Sequence, residues 1–337
     1  MTVPHSAEHP SDRSADDTGA IPTVPAAPAT SEEPAEMPRR ALILGESAMA
    51  LDLEQAYKRM GFDTRVGAAS IAEAFYPGII VTSGDAEDTI ETVEEVSQRV
   101  GAVVAPSVEA CRHTADRMAV RKQANEELGL PVLDYEFAAT PQEMHDAVER
   151  IGYPCVVKSP TSKDGEGFSF VHSDADLADA WRSADRGLGQ GAVVERFIDF
   201  DFEVTILAAR SIDPSTGELA TWFCEPIGTR HREGRLVESW QPAPLPEAAM
   251  DNARSIAARI TGALASCGIF SVEMFVSGDD VYFSQVTPRP SRDGLVTFVT
   301  QRINQFDLQA HATQRLPIDS TLISPGAVRF LEGHPSQ

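Results

Sequence analysis

Three short apolar runs alternate with two amphipathic stretches in the first third of this 337-residue chain. The runs are RALILG from Arg40, PGIIVTSG from Pro77 and GAVVAP from Gly101, each short enough to be a buried strand. The stretches between them, LDLEQAYKRMG and EDTIETVEEVSQRVG, carry apolar residues at helical spacing and end in glycine. Strands that alternate with helices pack as a parallel sheet covered by those helices. Residues 39–112 are therefore predicted to form an α/β, Rossmann-like domain.

The rest of the chain mixes helices with a mostly β pattern, which is typical of an α+β domain. We predict a polar helix over Ala115–Leu128, helices near 143–151 and 176–184, and short strands between them. From Phe200 the predicted strands are FEVTILAA, ELATWFCEPIG and RLVESWQP, followed by a long helix near 247–265. This second domain is predicted to cover residues 113–320, with residues 321–337 as a C-terminal tail.

The first 38 residues have a different composition. They are rich in Pro, Ala, Ser, Thr, Asp and Glu and contain almost no large apolar side chain. Such a segment cannot bury enough apolar surface to offset the entropy that ordering would cost. We therefore predict that residues 1–38 form a disordered acidic tail.

The charge balance excludes some classes of partner. The chain has 51 acidic and 28 basic residues and a formal net charge of −23, whereas binding to nucleic acid or an anionic membrane requires a basic surface. The four cysteines are far apart and lie in or beside apolar runs, so we interpret them as reduced core residues. No apolar run has membrane-spanning length, and the start lacks the apolar stretch of a signal peptide. We expect a cytoplasmic protein.

The first candidate motif is Gly45-Glu46-Ser47-Ala48-Met49, between the first predicted strand and helix. It is similar to the nucleophile elbow of serine hydrolases, but its fifth residue is not glycine and no glycine-rich oxyanion loop occurs elsewhere. A serine hydrolase is therefore a remote alternative. A Walker A loop is excluded, because the chain contains no Gly-Lys dipeptide.

The second candidate is Lys158, which ends the predicted strand YPCVVKSP and precedes the loop TSKDGEGF. A lysine at the end of a buried strand is costly unless it meets an anion. Glycines in a turn let backbone N–H groups approach phosphate oxygens. Gly165-Glu166-Gly167 alone would be typical of a solvated turn, but its position directly after Lys158 favours an anion-binding loop.

The third candidate is the segment VVERFIDFDFEVTIL. We predict that a strand ends at Val194, that Glu195–Ile198 forms a hinge, and that Glu203 follows on the next strand. Backbone groups of a hinge pair with an adenine edge, and an acidic side chain accepts hydrogen bonds from ribose hydroxyls. Acidic residues on a solvated strand have the same pattern, so both interpretations remain open for this segment alone.

The fourth candidate is the predicted β-hairpin Phe270–Gly294, FSVEMFVSGDDVYFSQVTPRPSRDG. A three-residue loop, Gly278-Asp279-Asp280, would set three facing pairs: Glu273 with Gln285, Phe275 with Phe283, and Ser271 with Thr287. Opposed oxygen ligands on stiff strands are typical of a Mg²⁺ site, although an ordinary polar hairpin has the same pattern. Arg289, between two prolines, is placed to neutralise charge on a transferring phosphoryl group or acyl phosphate.

The order of these features is more specific than any one of them. A basic helix, a strand lysine, a glycine loop, an acidic hinge, an acidic hairpin and Pro-Arg-Pro follow one another as they do in ATP-grasp proteins. The stretches IGYPCVVK, FDFEVTIL, ESWQP and VTPRP resemble the formate-dependent phosphoribosylglycinamide formyltransferases, ATP-grasp enzymes of purine synthesis. The resemblance runs from about Ala41 to Arg315 and is strongest between Arg117 and Arg289.

The resemblance implies that ATP phosphorylates formate and that an amine attacks the formyl phosphate, with Mg²⁺ as the metal and a homodimer as the assembly. It implies catalytic roles for Arg117 and Arg289 and metal binding by Glu273 and Gln285. The implied nucleotide-binding residues are Arg117, Lys158, the covering loop of Ser162, Lys163, Asp164, Gly165, Glu166, Gly167 and Phe168, the adenine hinge of Glu195, Arg196, Phe197 and Ile198, and the ribose ligand Glu203.

The chain departs from the family pattern on the nucleotide side at two positions. Gln285 stands where the family has glutamate, which keeps an oxygen ligand but removes one negative charge. Glu166 stands where the family has lysine in a Gly-Lys-Gly loop, which places an anion near phosphates. Lys163 is a candidate substitute for that lysine, although a solvent-facing side chain has the same sequence pattern.

The substrate side departs further. Gly45–Ala50 lacks two glycines and the glutamate of the family loop, Thr82–Asp85 replaces an acidic Pro-Glu-Ile-Glu run, and Arg292 replaces the aspartate after Pro-Arg-Pro, with Asp293 one place along. Residues 61–77 are expected to be short by one strand–helix unit, and the family's C-terminal basic region is expected to be missing.

Two functions therefore remain open from the sequence. One is an ATP-dependent ligase or formyltransferase that acts on small-molecule carboxylate and amine substrates, with an altered acceptor amine. The other is a weak or inactive ATP-grasp homologue that binds nucleotide as a regulatory or partner subunit.

Overall fold

A computed structural model describes residues 39–161, 167–232 and 234–331. The predicted tail of residues 1–38 lies outside the described residues, and so do the loop residues Ser162, Lys163, Asp164, Gly165 and Glu166 and the last six residues of the chain. The described chain contains three β-sheets, of four, seven and four strands. No helix within those three ranges is both long and apolar enough to cross a membrane.

The first sheet is parallel, with strand order β2-β1-β3-β4, which confirms the predicted α/β class of this part. Its strands are β1 (Arg40–Leu44), β2 (Asp63–Gly67), β3 (Ile79–Thr82) and β4 (Val103–Ala105), and its helices are α1 (Ala48–Arg59), α2 (Ala72–Phe75) and α3 (Ile90–Val100). The expectation that residues 61–77 lack a strand–helix unit is wrong. The structure has β2 and α2 there, and β2 is an edge strand whose charged, partly exposed residues hide its periodicity.

The helix predicted over Ala115–Leu128 has the wrong bounds, because the helical conformation is interrupted at Asp116. The observed helices are α4 (Val108–Ala115) and α5 (Arg117–Lys122), and α5 continues into a π-helical turn at Gln123–Glu127. Asp116 is extended and its side chain accepts hydrogen bonds from the backbone N–H groups of Met118 and Ala119. This cap starts a new helix and puts Arg117 at its first position.

The second sheet is a small antiparallel sheet of order β5-β8-β6-β7. Its elements are β5 (Tyr135–Ala138), α6 (Pro141–Ile151), β6 (Cys155–Lys158), β7 (Ser169–Val171), α7 (Leu177–Asp185) and β8 (Ala192–Arg196). Buried residues of α6 and α7 pack against this sheet in one core cluster. Strand β8 continues through Glu195 and Arg196, so the predicted hinge at Glu195–Ile198 is wrong in its start: the irregular segment begins at Phe197.

The third sheet is antiparallel and has the order β14-β13-β9-β11-β12-β15, with β10 also paired to β9. Its strands are β9 (Phe202–Ile212), β10 (Leu219–Phe223), β11 (Ile227–Arg232), β12 (Arg235–Gln241), β13 (Gly268–Ser277), β14 (Asp280–Thr287) and β15 (Gly326–Arg329). The predicted strand ELATWFCEPIG is split into β10 and β11. Residues 326–329, predicted as tail, are the edge strand β15.

Helix α8 (Glu247–Ala263) covers one face of this large sheet. Along β9 the buried side chains of Val204, Ile206 and Ala208 pack in a cluster with residues of α8, such as Ile256. Because side chains alternate along a strand, Glu203 and Thr205 must point to the opposite face. The chain continues into α9 (Thr297–Thr300) and α10 (Gln305–Thr313), and α10 packs against α1 beside the parallel sheet.

The predicted hairpin is present, with one change in register. Glu273 faces Gln285 and Ser271 faces Thr287, as predicted, but Phe275 faces Tyr282 rather than Phe283. The register shifts after Glu273, so Ser284 has no partner and forms a β-bulge, and the loop has two residues, Gly278 and Asp279. The bulge absorbs the residue that the sequence analysis placed in the loop.

Candidate active site

A cavity of about 780 Å³ lies where the three sheets meet. The small sheet contributes residues of β6, β7 and β8, and the large sheet contributes residues of β9, β11, β13 and β14. The start of α1, the turn after β3 and the segment after β14 line the remaining wall. Every described residue of the predicted site is among the residues that line this cavity, with the exception of Gly167.

The floor of the cavity is one face of the large sheet. Glu203 and Thr205 of β9 face Thr229 and Glu273 on the neighbouring strands, and Glu273 in turn faces Gln285. Side chains directly opposite each other in a ladder share a face, so these oxygen-bearing side chains all point the same way. The predicted ribose ligand and the predicted metal ligands therefore lie side by side on a stiff surface.

Glu195 is the centre of a buried ion cluster. It is 3% exposed, and its carboxylate pairs with Arg121 through one oxygen and with Lys158 Nζ, at 2.7 Å, through the other. Burial by itself raises the pKa of Glu195, but the charges of Arg121 and Lys158 outweigh it and lower that pKa to about 2. The carboxylate is thus fully engaged, so an adenine at this hinge would meet the backbone rather than the Glu195 side chain.

Arg121 ties this cluster to the hairpin. Its guanidinium donates a hydrogen bond to the carbonyl of Ser284 at 2.9 Å, and it lies over the Tyr135 ring at 5.4 Å. Ser284 is the bulged residue and has no partner in the ladder, so its carbonyl is available to accept a hydrogen bond from a cationic side chain. The bulge and Arg121 together fix Gln285, the next residue, relative to the strand that carries Lys158.

Glu273 is surrounded by like charge. Burial and the neighbouring carboxylate of Asp293 raise the pKa of Glu273 to about 7, and Glu203 adds to this, while Arg117 and His231 oppose it. Burial also raises the pKa of Asp293, whose side chain is 8% exposed. Carboxylates in this position favour a bound cation, because a cation removes the repulsion between them.

Glu203 has a partner that the sequence analysis did not identify. The Nδ1 atom of His231 lies 2.7 Å from Oε2 of Glu203. Burial alone lowers the pKa of His231, but the hydrogen bond and the charge of Glu203 more than offset this, so the pKa is raised. This contact orients the Glu203 carboxylate on the cavity floor.

Aromatic rings line the end of the cavity formed by the small sheet. Phe170 of β7 makes edge contacts with Phe168 at 5.0 Å and with Phe197 at 5.6 Å between ring centroids. Phe170 is 45% exposed, which is unusual for a large apolar ring and leaves its surface open to a ligand. Flat apolar surface of this kind suits a purine base.

The other end of the cavity is formed around Arg289 and Gly84. A Cβ atom placed on Gly84 would lie 2.7 Å from Cδ of Arg289 and closer still to its Nε and Cζ. Gly84 also has φ +94°, which side chains rarely adopt. The turn after β3 is therefore shaped so that the Arg289 side chain passes directly over its backbone.

The turn after β3 also contacts the residues that precede α1. Backbone N–H groups of Glu46 and Ser47 donate to Oδ2 of Asp85 at 3.0 and 2.8 Å. Ser47 caps α1 through the backbone N–H of Ala50. The structure gives Ser47 a structural role as a helix cap, which is the simpler account of the motif that is similar to a hydrolase elbow.

The donor set of the cavity suits a hard divalent cation. It consists of carboxylate and amide oxygens from Glu273, Asp293 and Gln285. In the described parts of the chain, the one group of three acidic or histidine side chains with ligand atoms all within 4.8 Å is His145, Asp146 and Glu149 on α6, outside the cavity. The cavity carboxylates are thus spaced more widely than such a group, and Mg²⁺ usually keeps water or phosphate oxygens as further ligands.

Four residues of the site were missed by the sequence analysis. Arg121 lies one helical turn after Arg117, a spacing that could have indicated a second cation on the same face. His231 follows a register shift in β11, and Phe168 lies outside β7, so strand alternation could not have placed His231 or Phe170 in the site. Asp293 was noticed only as a displaced family residue. The five loop residues 162–166 lie outside the described residues, so the covering loop stays a prediction.

Comparisons with known proteins agree with this geometry. Residues 123–306 match the model of the ATP-grasp domain. The chain is 43% identical over 322 residues to the formate-dependent phosphoribosylglycinamide formyltransferase of Corynebacterium efficiens, covering 87% of this chain and 80% of that protein. It is 52% identical over 240 residues to the enzyme of the same name from Corynebacterium jeikeium, covering 70% of this chain and 58% of that protein. The chain thus spans less than two thirds of the second relative.

Two solved structures show the same architecture. Glycinamide-RNase-transformylase T from Mycobacterium tuberculosis superimposes with a TM-score of 0.71 at 30% identity, covering 86% of this chain and 84% of that chain. Carboxyaminoimidazole ribonucleotide synthase from Aspergillus clavatus, solved with ATP, has a TM-score of 0.76 at 19% identity over 86% of this chain and 81% of that chain, which indicates a shared fold. The chain belongs to the ATP-grasp proteins and, among them, to the family of the formate-dependent phosphoribosylglycinamide formyltransferases.

Proposed function

We propose that this protein uses ATP and Mg²⁺ to activate formate as formyl phosphate and transfers the formyl group to an amine, as a step of purine synthesis. The main support for the proposal is the lining of one cavity. Aromatic and cationic side chains line one end, carboxylates line the floor, and Arg289 lies at the other end. The sequence identity to two proteins named as formate-dependent phosphoribosylglycinamide formyltransferases supports the choice of formate.

The nucleotide would occupy the end formed by the small sheet. Phe168, Phe170 and Phe197 offer apolar surface to adenine, and the backbone of Phe197 and Ile198, where β8 has ended, offers hydrogen bonds to its edge. Glu203, oriented by His231, would accept hydrogen bonds from the ribose hydroxyls. Lys158 and Arg117 would contact the phosphates, and the loop that includes residues 162–166 would cover them.

The proposed reaction has two steps. A formate oxygen attacks the γ-phosphorus of ATP and the bond to the β-phosphate oxygen breaks, giving formyl phosphate and ADP. The acceptor amine then attacks the formyl carbon, loses a proton, and inorganic phosphate leaves. Mg²⁺, held at Glu273 and Gln285, would supply charge neutralisation for the phosphate oxygens. Arg289 and Arg117 would neutralise the negative charge that develops on the transferring group.

The test is product formation with purified full-length protein, ATP, Mg²⁺ and formate, with and without phosphoribosylglycinamide. We expect phosphate release that requires formate and the acceptor, together with a formylated product detected by mass spectrometry. Phosphate release with formate alone would show that formyl phosphate forms and is hydrolysed by water. A formylated product with another amine, and none with phosphoribosylglycinamide, would point to a different acceptor. Nucleotide binding without any turnover over a panel of amines would contradict the proposal and favour the regulatory alternative, for which the neutral Gln285 is the supporting observation.

The proposal has two finer parts: a cytoplasmic location, which comes from the composition of the chain, and a homodimer, which comes from the family resemblance. The assembly is tested by light scattering of the full chain across a concentration series. A molar mass that stays at that of a single chain would contradict the dimer without affecting the proposed chemistry.

We expect Mg²⁺-ATP to stabilise the fold and Lys158→Ala to remove most of that effect. A ligand at about 100 times its Kd adds about 2.7 kcal/mol to the free energy of unfolding. Lys158 lines the cavity from the end of β6, where it would contact the phosphates. The measurement is the melting temperature with and without nucleotide. Lys122→Ala, which removes an exposed lysine of α5, is the control and should keep the full shift. An equal shift in both variants would remove Lys158 from the phosphate site.

A further inference from the structure

Asp293 lies beside Glu273 although it comes from a different element. It begins the helical turn Asp293–Val296, is separated from Pro-Arg-Pro by Ser291 and Arg292, and is 8% exposed. We propose that Asp293 supplies the second carboxylate of the cation site, in place of the negative charge that Gln285 does not carry. This inference rests on the proposed function, because it concerns the cation that accompanies the nucleotide.

Thr205 holds Asp293 on the floor of the cavity. The hydroxyl of Thr205 donates to Oδ2 of Asp293 at 2.7 Å, and Thr205 faces Glu273 directly across the β9–β13 ladder. Side chains opposite each other in an antiparallel pair have Cβ atoms about 4.5–5.5 Å apart. One hydrogen bond therefore brings the Asp293 carboxylate next to Glu273. That bond uses one carboxylate oxygen, and the other remains able to bind a cation.

The charges around this pair favour a cation rather than a salt bridge within the chain. Glu203 is directed toward His231, and the guanidinium of Arg292, the residue next to Asp293, lies over the Phe330 ring at 5.2 Å. Arg117 and His231 bring positive charge near Glu273, but burial and the carboxylates of Asp293 and Glu203 outweigh it. Two adjacent buried carboxylates are costly to keep charged, and a divalent cation offsets that cost.

The proposal explains how the site keeps its charge despite Gln285. With glutamine at this position, the amide oxygen coordinates but brings no charge, so Glu273 alone would leave the ion with a single carboxylate. Asp293 restores a pair of carboxylates on the same face of the sheet. Arg292 takes the place that the family gives to aspartate, and the acidic residue one position later reaches the cavity floor from the turn.

The experiment is titration calorimetry of the full chain with a non-hydrolysable ATP analogue, with Mn²⁺ and again with EDTA. The variants are Asp293→Asn, Asp293→Asn with Gln285→Glu, and Asp185→Asn as the matched control. Asp185 is a second buried aspartate that accepts a hydrogen bond, here from the backbone N–H of Gly191 at 3.0 Å, and it lies outside the cavity lining. Melting temperatures of the unliganded variants show that each one folds.

We expect Asp293→Asn to weaken Mn²⁺-dependent binding of the analogue by about tenfold to a hundredfold and to leave binding in EDTA unchanged or tighter. Adding Gln285→Glu should restore most of the Mn²⁺ dependence, and Asp185→Asn should bind like the parent. Parent binding of the analogue with Mn²⁺, together with unchanged binding by Asp293→Asn, would overturn this inference and leave the proposed function intact. A parent protein that binds no analogue under any condition would instead overturn the proposed function.

The role of Thr205 as a positioning residue gives a second, independent test. Thr205→Val removes the hydroxyl and keeps the shape, so the Mn²⁺ dependence should fall by about tenfold, on the scale found for residues that orient metal ligands. Thr205→Ser keeps the hydroxyl and should show the Mn²⁺ dependence of the parent. Equal Mn²⁺ dependence in the valine and serine variants would show that the hydrogen bond to Asp293 does not position a ligand.

Discussion

Glu195→Ala should lower the free energy of unfolding by about 3–5 kcal/mol, the usual cost of removing one partner from a buried ion pair. Arg121 and Lys158 would both lose their carboxylate, and Arg121 is only 6% exposed. The measurement is chemical denaturation of parent and variant. We also expect the variant to lose nucleotide affinity, because Lys158 would no longer be held at the end of β6.

The control for this variant is Glu136→Ala on the neighbouring strand. Glu136 is next to Tyr135, which pairs with Glu195 in the β5–β8 ladder, and it forms an ion pair with Arg150 whose side chain is 60% exposed. Exposed pairs of this kind contribute less than about 1 kcal/mol. If Glu195→Ala cost no more than Glu136→Ala, the buried cluster would not be a major source of stability.

The same cluster predicts a pH dependence of stability. The pKa of Glu195 is depressed from 4.5 to about 2. A depressed carboxylate pKa means that the folded state prefers the charged form, so this contribution is fully present above the unfolded value and is lost as pH falls through the folded one. The difference corresponds to about 3 kcal/mol. The free energy of unfolding of the parent should therefore fall more steeply between about pH 4.5 and 2 than that of Glu195→Gln, which lacks the titrating group. Parallel curves would contradict this assignment.

Much of the fold follows from local sequence patterns. Strands β1, β3 and β4 and helices α1, α3, α6 and α8 have the periodicity that was used to predict them, and the order of the candidate motifs along the chain led to the resemblance to ATP-grasp proteins. The errors lie where a local pattern is overridden. A single side chain, Asp116, ends one helix and starts another within a stretch whose helical periodicity looks continuous.

The register of the hairpin shows why the site could be predicted only in part. Glu273 and Gln285 face each other as predicted, but the carbonyl of the bulged residue Ser284 accepts a hydrogen bond from Arg121, which is 163 residues away in the chain. The contact between Asp293 and Thr205 spans 88 residues in the same way. Spacing along the chain contains no information on such contacts, whereas residues within one strand or hairpin can be placed by period and pairing.

The last prediction concerns the turn that faces Arg289. Gly84→Ala should destabilise the protein by about 1–3 kcal/mol, because the residue has φ +94° and a side chain there is strained. The new Cβ would also displace the Arg289 guanidinium, since it would lie less than 3.0 Å from three atoms of that side chain. If Arg289 neutralises charge on the transferring group, kcat should fall by about 10²–10³-fold.

Gly101→Ala is the matched control for the strain at Gly84. Gly101 has φ +71° at the end of α3, and a Cβ atom there would have no atom within 4 Å. Gly101→Ala should lower the free energy of unfolding by an amount similar to that of Gly84→Ala, and it should keep the kcat of the parent. The comparison uses denaturation for the first quantity and formate-dependent phosphate release for the second. Equal activities in the two alanine variants would mean that the close passage of Arg289 over Gly84 is a packing feature. A selective loss of kcat in Gly84→Ala would place Arg289 at the reacting group, because the two glycines differ in their surroundings and share their backbone strain.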